Sequence, residues 1–229
     1  MNVQGYQKMT LLDFPGRVAC TVFTGGCNLR CPFCHNADLV RHPVAVASKE
    51  AEVLEFLGRR RGLIDGVCIT GGEPLLQPDL LSFVQRVKEL GYLVKLDTNG
   101  MLPKRLAEVL HSGLLDYVAM DVKSSPRGYP RAVGCDVDVA AIEESIRLIQ
   151  ESGIAHEFRT TAVKGIHTTE DFAEIGRWIG RDELYFIQGF RDSGNLLSDG
   201  CQAFSCAETE ELLGAAKQYL PRAAVRGSD

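Results

Sequence analysis

Short apolar, β-branched runs alternate six times with longer stretches of helical period along this chain. The runs cover 17–24, 66–70, 93–98, 117–122, 157–163 and 184–188. Each is rich in Val, Ile, Leu, Phe or Thr, as strands buried in a parallel sheet are. Apolar residues recur at helical spacing over 48–61, 78–90, 103–112, 138–152, 169–179 and 207–219. Ser48 reads as an N-cap for the first of these, with Glu50 and Glu52 placing negative charge in its opening turn. Gly91, Gly113, Gly153 and Gly180 stand where four helices should stop.

Repeated strand–helix units predict a parallel sheet with right-handed crossovers. Six units fall short of the eight in a closed barrel, so the period fits either a partial barrel or a doubly wound open sheet. In both architectures the chemistry belongs at the carboxyl ends of the strands.

Composition narrows the function. With 229 residues, 45% hydrophobic and 24% charged, the chain suits one globular domain. The net charge is −5 and the longest basic run is Arg59-Arg60-Arg61, a poor footprint for nucleic acid. No stretch is apolar enough to span a membrane, and residues 1–7 are too polar for a secretory signal. Eight cysteines without such a signal point to metal or redox chemistry in a reducing, cytoplasmic setting. Cys20 and Cys68 alternate with apolar neighbours inside strands and read as buried hydrophobes. Cys135, Cys201 and Cys206 lie in polar stretches, where an auxiliary cluster is an open option.

The remaining three, Cys27, Cys31 and Cys34, follow the first strand in a C-x3-C-x2-C loop. Three thiolates so placed suit one cubane cluster with its fourth iron left for a small molecule. Closure by His35 would instead make a zinc site. The second strand runs into Gly71-Gly72-Glu73-Pro74, which reads as a close approach to a ligand or as a plain strand–helix turn. After the third strand comes Asp97-Thr98-Asn99-Gly100, and the fourth ends in Asp121-Val122-Lys123. Each has a turn or ion-pair reading beside a functional one.

In this order the motifs resemble the radical S-adenosylmethionine (SAM) superfamily. The Gly71–Glu73 segment is similar to its GGE element, and Asp97–Gly100 and Asp121–Lys123 resemble elements of glycyl-radical-enzyme activases. The resemblance implies a 4Fe–4S cluster on Cys27, Cys31 and Cys34, with SAM chelated at the open iron. It places Phe33 near the adenine and assigns SAM contacts to Gly71, Gly72, Glu73, Asp121 and Lys123. It also implies a monovalent cation held by Asp97, Thr98, Asp121 and a carbonyl near Ala119. Arg159 falls where the activases carry a strand arginine, and Gln188 where some carry a ribose-contacting histidine.

Residues 7–16 and 161–167 are similar to the branch known as anaerobic ribonucleoside-triphosphate reductase activating protein. That branch implies SAM cleavage with an electron from flavodoxin or ferredoxin, and a glycyl radical formed on the partner enzyme. A radical SAM enzyme acting on a small molecule, such as a deazapurine-forming synthase, is the alternative. The expected fold is α/β, a partial (β/α)6 TIM-like barrel. It occupies a single domain over 1–229, with its core at about 17–190 and a C-terminal helix and tail at 207–229.

Overall fold

The computed structural model describes residues 1–41, 47–180, 182–192 and 194–227. Its strands are β1 (Val3–Thr10), β2 (Ala19–Thr24), β3 (Gly66–Gly71), β4 (Leu93–Thr98), β5 (Tyr117–Asp121), β6 (Ala155–Ala162), β7 (Tyr185–Gly189) and β8 (Ala223–Arg226). They form one sheet in the order β1 to β8. β1 is antiparallel to β2, and every later pair is parallel. A doubly wound sheet would reverse its strand order at a switch point. This order has no reversal, which makes the sheet a partial barrel, open between its first and last strands.

All six expected strands form, each within two residues of its sequence-based bounds. β1 and β8 are additional and carry the sheet past 17–190 at both ends. The apolar period missed β1 because it is an edge strand, mostly half-exposed and rich in Gln and Lys. β8 has only four residues, too few for a period to register.

Helices α1 (Ala37–Arg41), α2 (Ala47–Arg59), α3 (Leu80–Glu89), α4 (Pro103–His111), α5 (Tyr129–Val133), α6 (Val139–Glu151), α7 (Thr169–Ile179) and α8 (Cys206–Lys217) connect the strands. The Ser48 side chain, expected to cap α2, lies outside the described residues. Asp138 caps α6, and Thr168 with Asp171 closes a capping box on α7. Gly91, Gly113, Gly153 and Gly180 all take positive φ at their helix ends. Among the described residues, no helix is long and apolar enough to cross a membrane.

The strands alternate between two unlike faces. Val94, Leu96, Val118, Met120 and Phe158 are fully buried in the apolar core. Between them, Lys95, Asp97, Tyr117, Asp121, Glu157 and Arg159 point the other way and pair with one another across the barrel interior. Glu157, 1% exposed, accepts both guanidinium nitrogens of Arg226 at 2.8 and 2.9 Å and the Tyr117 hydroxyl at 3.1 Å. The Arg226 guanidinium also lies 3.7 Å from the centre of the Phe186 ring.

This pairing fastens β8 to the barrel. Arg226→Ala should cost about 2 kcal/mol, less than the full penalty for an orphaned buried charge because Tyr117 and Arg159 remain beside Glu157. The midpoint of urea unfolding checks this, with an unchanged midpoint counting against it.

Candidate functional site

Two backbones meet at the carboxyl end of the barrel. β2 runs out into Gly25-Gly26-Cys27, and β3 runs out into Gly71-Gly72-Glu73. Gly72 N–H donates to the Thr24 carbonyl at 2.9 Å, and Glu73 N–H to the Gly26 carbonyl at 2.8 Å. A Cβ on Gly72 would stand 1.9 Å from the Gly26 oxygen, and one on Gly71 would stand 2.3 Å from the Thr24 nitrogen. Gly71 also has φ +117, which L side chains rarely adopt. The glycines therefore serve the contact between chain segments first. The sequence had suggested room for a ligand.

Glu73 has no exposed surface. Its carboxylate accepts from Leu75 N–H at 3.0 Å, Thr98 Oγ1 at 2.9 Å and Asn99 N–H at 2.7 Å. Burial pushes it up to about 7 against these three donors. Its side chain ties the ends of β3 and β4 together and does not reach the cavity. The carboxylate thus braces the two strand ends.

The cysteine loop is held from several sides. Gly26 N–H donates to the Leu39 carbonyl at 2.8 Å, Arg30 N–H to Val133 at 2.9 Å and Ser198 N–H to Pro32 at 3.1 Å. Arg30 turns its guanidinium onto the Cys27 carbonyl at 2.7 Å. Cys31 is buried, and burial pushes its thiol up to about 12. Burial raises Cys27 as well.

All three cysteines line one cavity of about 200 Å³. Phe33, Gly71, Gly72, Asp97, Thr98, Asp121 and Lys123 share it, so these expected site residues are brought together. Sequence reasoning did not assign Asn36, Asn99 and Thr161 to this wall, yet they line it too. Thr161 was within reach, because it sits two residues from Arg159 on the same strand face. Gln188 and His35 reach the same wall, and the His35 ring stacks on Phe190 at 5.6 Å.

Among the described residues, no three His, Cys, Asp or Glu side chains stand close enough to chelate a single ion. Three thiols lining one cavity suit a group that offers each sulfur its own iron. Cys20 and Cys68 are fully buried in strands, as expected. The Cys135 sulfur lies 3.9 Å from the Asn28 carbonyl, and Cys206 is exposed at the start of α8.

Alternating charges form the cavity floor. Arg159 Nε donates to Asp121 Oδ1 at 2.8 Å and its NH1 to Asp97 Oδ2 at 3.4 Å. Lys95 pairs with Asp97 from below, and Lys123 Nζ donates to Asp121 Oδ2 at 2.9 Å. Burial alone would raise Asp121, but Arg159 and Lys123 outweigh it and hold the carboxyl well below its usual range. Lys123 is correspondingly held above the usual lysine range, since Asp121 overcomes the burial.

These pairs engage the residues of the expected cation site. Asp97 and Asp121 are already bridged by a guanidinium, and the Thr98 hydroxyl donates to Glu73 while accepting from Gly100 N–H at 3.2 Å. Arg159 pairs with both aspartates.

Lys123 is also fixed through its backbone. Its N–H donates to the Tyr129 hydroxyl at 3.2 Å, and His167 Nε2 donates to its carbonyl at 2.8 Å while Nδ1 accepts from Val163 N–H at 3.0 Å. The ring of Phe33 meets His167 edge-on at 6.1 Å.

The Radical SAM superfamily model matches residues 21–179. A Methanocaldococcus jannaschii protein named for glycyl-radical enzyme activation is 32% identical over 233 residues, 98% of this chain and 95% of its own. The 7-carboxy-7-deazaguanine synthase of Thermococcus kodakarensis is 30% identical over 185 residues, 71% of this chain and 69% of its own. Among solved structures, Streptococcus suis SuiB bound to S-adenosylmethionine superposes with a TM-score of 0.65 at 19% identity. That match covers 88% of this chain and 48% of SuiB, and it speaks to the fold alone.

Because Gly72 and the Gly26 carbonyl are in backbone contact, Gly72→Ala should destabilise the chain by about 2–4 kcal/mol. A control with Gly91→Ala meets no neighbouring atom and is strained only through its φ. Comparing their chemical denaturation midpoints checks the assignment; a smaller loss at Gly72 than at Gly91 contradicts it.

Proposed function

The chain belongs to the radical SAM superfamily, and from that premise we propose that it is an activase that places a glycyl radical on a partner enzyme. Membership implies a 4Fe–4S cluster and SAM. When bound, that pair supplies one-electron cleavage of a sulfonium and, from it, hydrogen-atom abstraction. The observation that carries the reading is one cavity shared by Cys27, Cys31, Cys34, the Gly71–Gly72 strand end and Lys123.

In this reading Cys27, Cys31 and Cys34 hold the cluster, three thiolates for four irons. Gly71 and Gly72 present backbone oxygens toward an ammonium group, and Lys123 offers a fixed cation to a carboxylate or ribose oxygen. Phe33 packs the cavity wall beside them, where an adenine fits. The Glu73 carboxylate, Arg159 and Lys95 brace these groups. Asp121 holds the Lys123 ammonium in place. Fixing the reactants' alignment is what such a frame contributes to the rate.

The proposed partner is anaerobic ribonucleoside-triphosphate reductase, with flavodoxin or ferredoxin as electron donor in the cytoplasm. End-to-end similarity to the M. jannaschii protein supports the activase class, and the resemblance of residues 7–16 and 161–167 supports the reductase. A second reading, a small-molecule enzyme, is favoured by the similarity to the deazaguanine synthase. A glycyl radical signal in the reductase after incubation with this protein, SAM and reductant supports the first. Turnover of a small substrate with no protein partner supports the second.

Two variants test the site. Cys31→Ala should lose the visible absorbance and sulfide of the reconstituted protein, together with 5′-deoxyadenosine release after dithionite. Undiminished nucleoside on chromatography would remove Cys31 from the ligand set. Lys123→Ala should weaken SAM binding about tenfold, the scale of one lost charge-assisted hydrogen bond. Equilibrium dialysis with labelled SAM measures it, and equal affinity would exclude the ammonium from the contact.

A further inference from the structure

Asn99 is buried just after β4, and its backbone N–H and both ends of its side-chain amide have identified partners. Its backbone N–H is held by Glu73 Oε2 at 2.7 Å, and its side-chain Oδ1 accepts from Met101 N–H at 3.0 Å. That acceptor bond settles which end of the amide is oxygen, since a backbone N–H needs an acceptor opposite it. The amide nitrogen must then point the other way. It donates to Asn28 Oδ1 at 2.8 Å and faces Cys27 Sγ at 3.8 Å.

Cys27 also accepts from Leu29 N–H at 3.4 Å. Among the described residues, no hydrogen bond reaches the sulfur of Cys31 or Cys34. The three thiolates are therefore unequal, and the inequality is built by a chain of contacts from Glu73 through Asn99 to Cys27.

We infer that Asn99 is a positioning residue that acts through Cys27 to raise the reduction potential of the bound cluster. The inference rests on the reading of Cys27 as a cluster ligand. Reduction adds a negative charge shared by irons and thiolates, so an N–H aimed at a ligand sulfur stabilises the reduced form more than the oxidised one. Glu73 supplies the second half of the arrangement. By holding the Asn99 backbone it fixes where the amide can reach, which gives the buried carboxylate a role away from the cavity.

The experiment is an anaerobic potentiometric titration of the reconstituted full chain, following the reduced cluster by electron paramagnetic resonance. Asn99→Ala removes the donor without adding charge. Asn99→Asp keeps the oxygen that accepts from Met101 and removes the donor, so the turn is preserved should alanine loosen it. At the wild-type midpoint both variants should show a reduced-to-oxidised ratio about tenfold lower, equivalent to about 59 mV for a one-electron couple. Iron and sulfide content should stay at the wild-type level.

Unchanged potentials in both variants, with full iron content, overturn the inference. A shift in Asn99→Asp with none in Asn99→Ala also overturns it, because charge and not the lost donor would then be the cause. A wild-type chain that takes up no cluster defeats the underlying assignment of Cys27, an outcome the iron analysis separates from the others.

Discussion

Everything at the carboxyl end of this barrel depends on two backbones touching. The Gly26 carbonyl sits where any side chain at position 72 would have to go, and the neighbouring amides of Gly72 and Glu73 bond across the same gap. This contact joins the cysteine loop to the second parallel strand. Without it, the loop would be a surface turn with three thiols, and the cavity would lose one wall. Glu73 extends the junction to the next strand by gathering Thr98 and Asn99 under its carboxylate. Three successive strand ends are thereby locked in register by one glycine pair and one buried acid.

Charge completes the frame. A barrel interior lined by Lys95, Asp97, Asp121, Glu157, Arg159 and Arg226 is costly unless each ion is paired, and here each is. The pairing runs upward from the floor and ends at Lys123, which shares the cavity with the cysteines. A lysine held on both sides of its backbone and at its ammonium has little freedom left, as a group meant to meet a ligand in one orientation should.

Much of this was legible in the chain before any coordinates. The strand ends carry Cys27–Cys34, Gly71–Glu73, Asp97–Thr98 and Asp121–Lys123, and the fold gathers them because parallel strands aim their carboxyl ends at one mouth. What escaped has physical reasons. β1 is an antiparallel edge with little apolar period, and β8 is too short to show one. The partnership of Arg159 with two aspartates depends on the sideways register of three strands, which no local pattern records. Likewise, the amide of Asn99 reaches Cys27 across 72 positions of sequence, a contact visible only once the strands are laid side by side. The glycine pair reads as a close approach, and at Gly72 the Gly26 carbonyl makes one.

The central claim is that the three sulfurs and the Gly71–Lys123 wall form one binding site for two ligands, an iron–sulfur cluster and SAM in contact. Electron paramagnetic resonance of the dithionite-reduced protein, recorded anaerobically with and without SAM, addresses that contact directly. The account predicts a reduced-cluster signal whose g-values change when SAM is added. A signal that SAM leaves unaltered, or no cluster signal from an iron-loaded preparation, would contradict it.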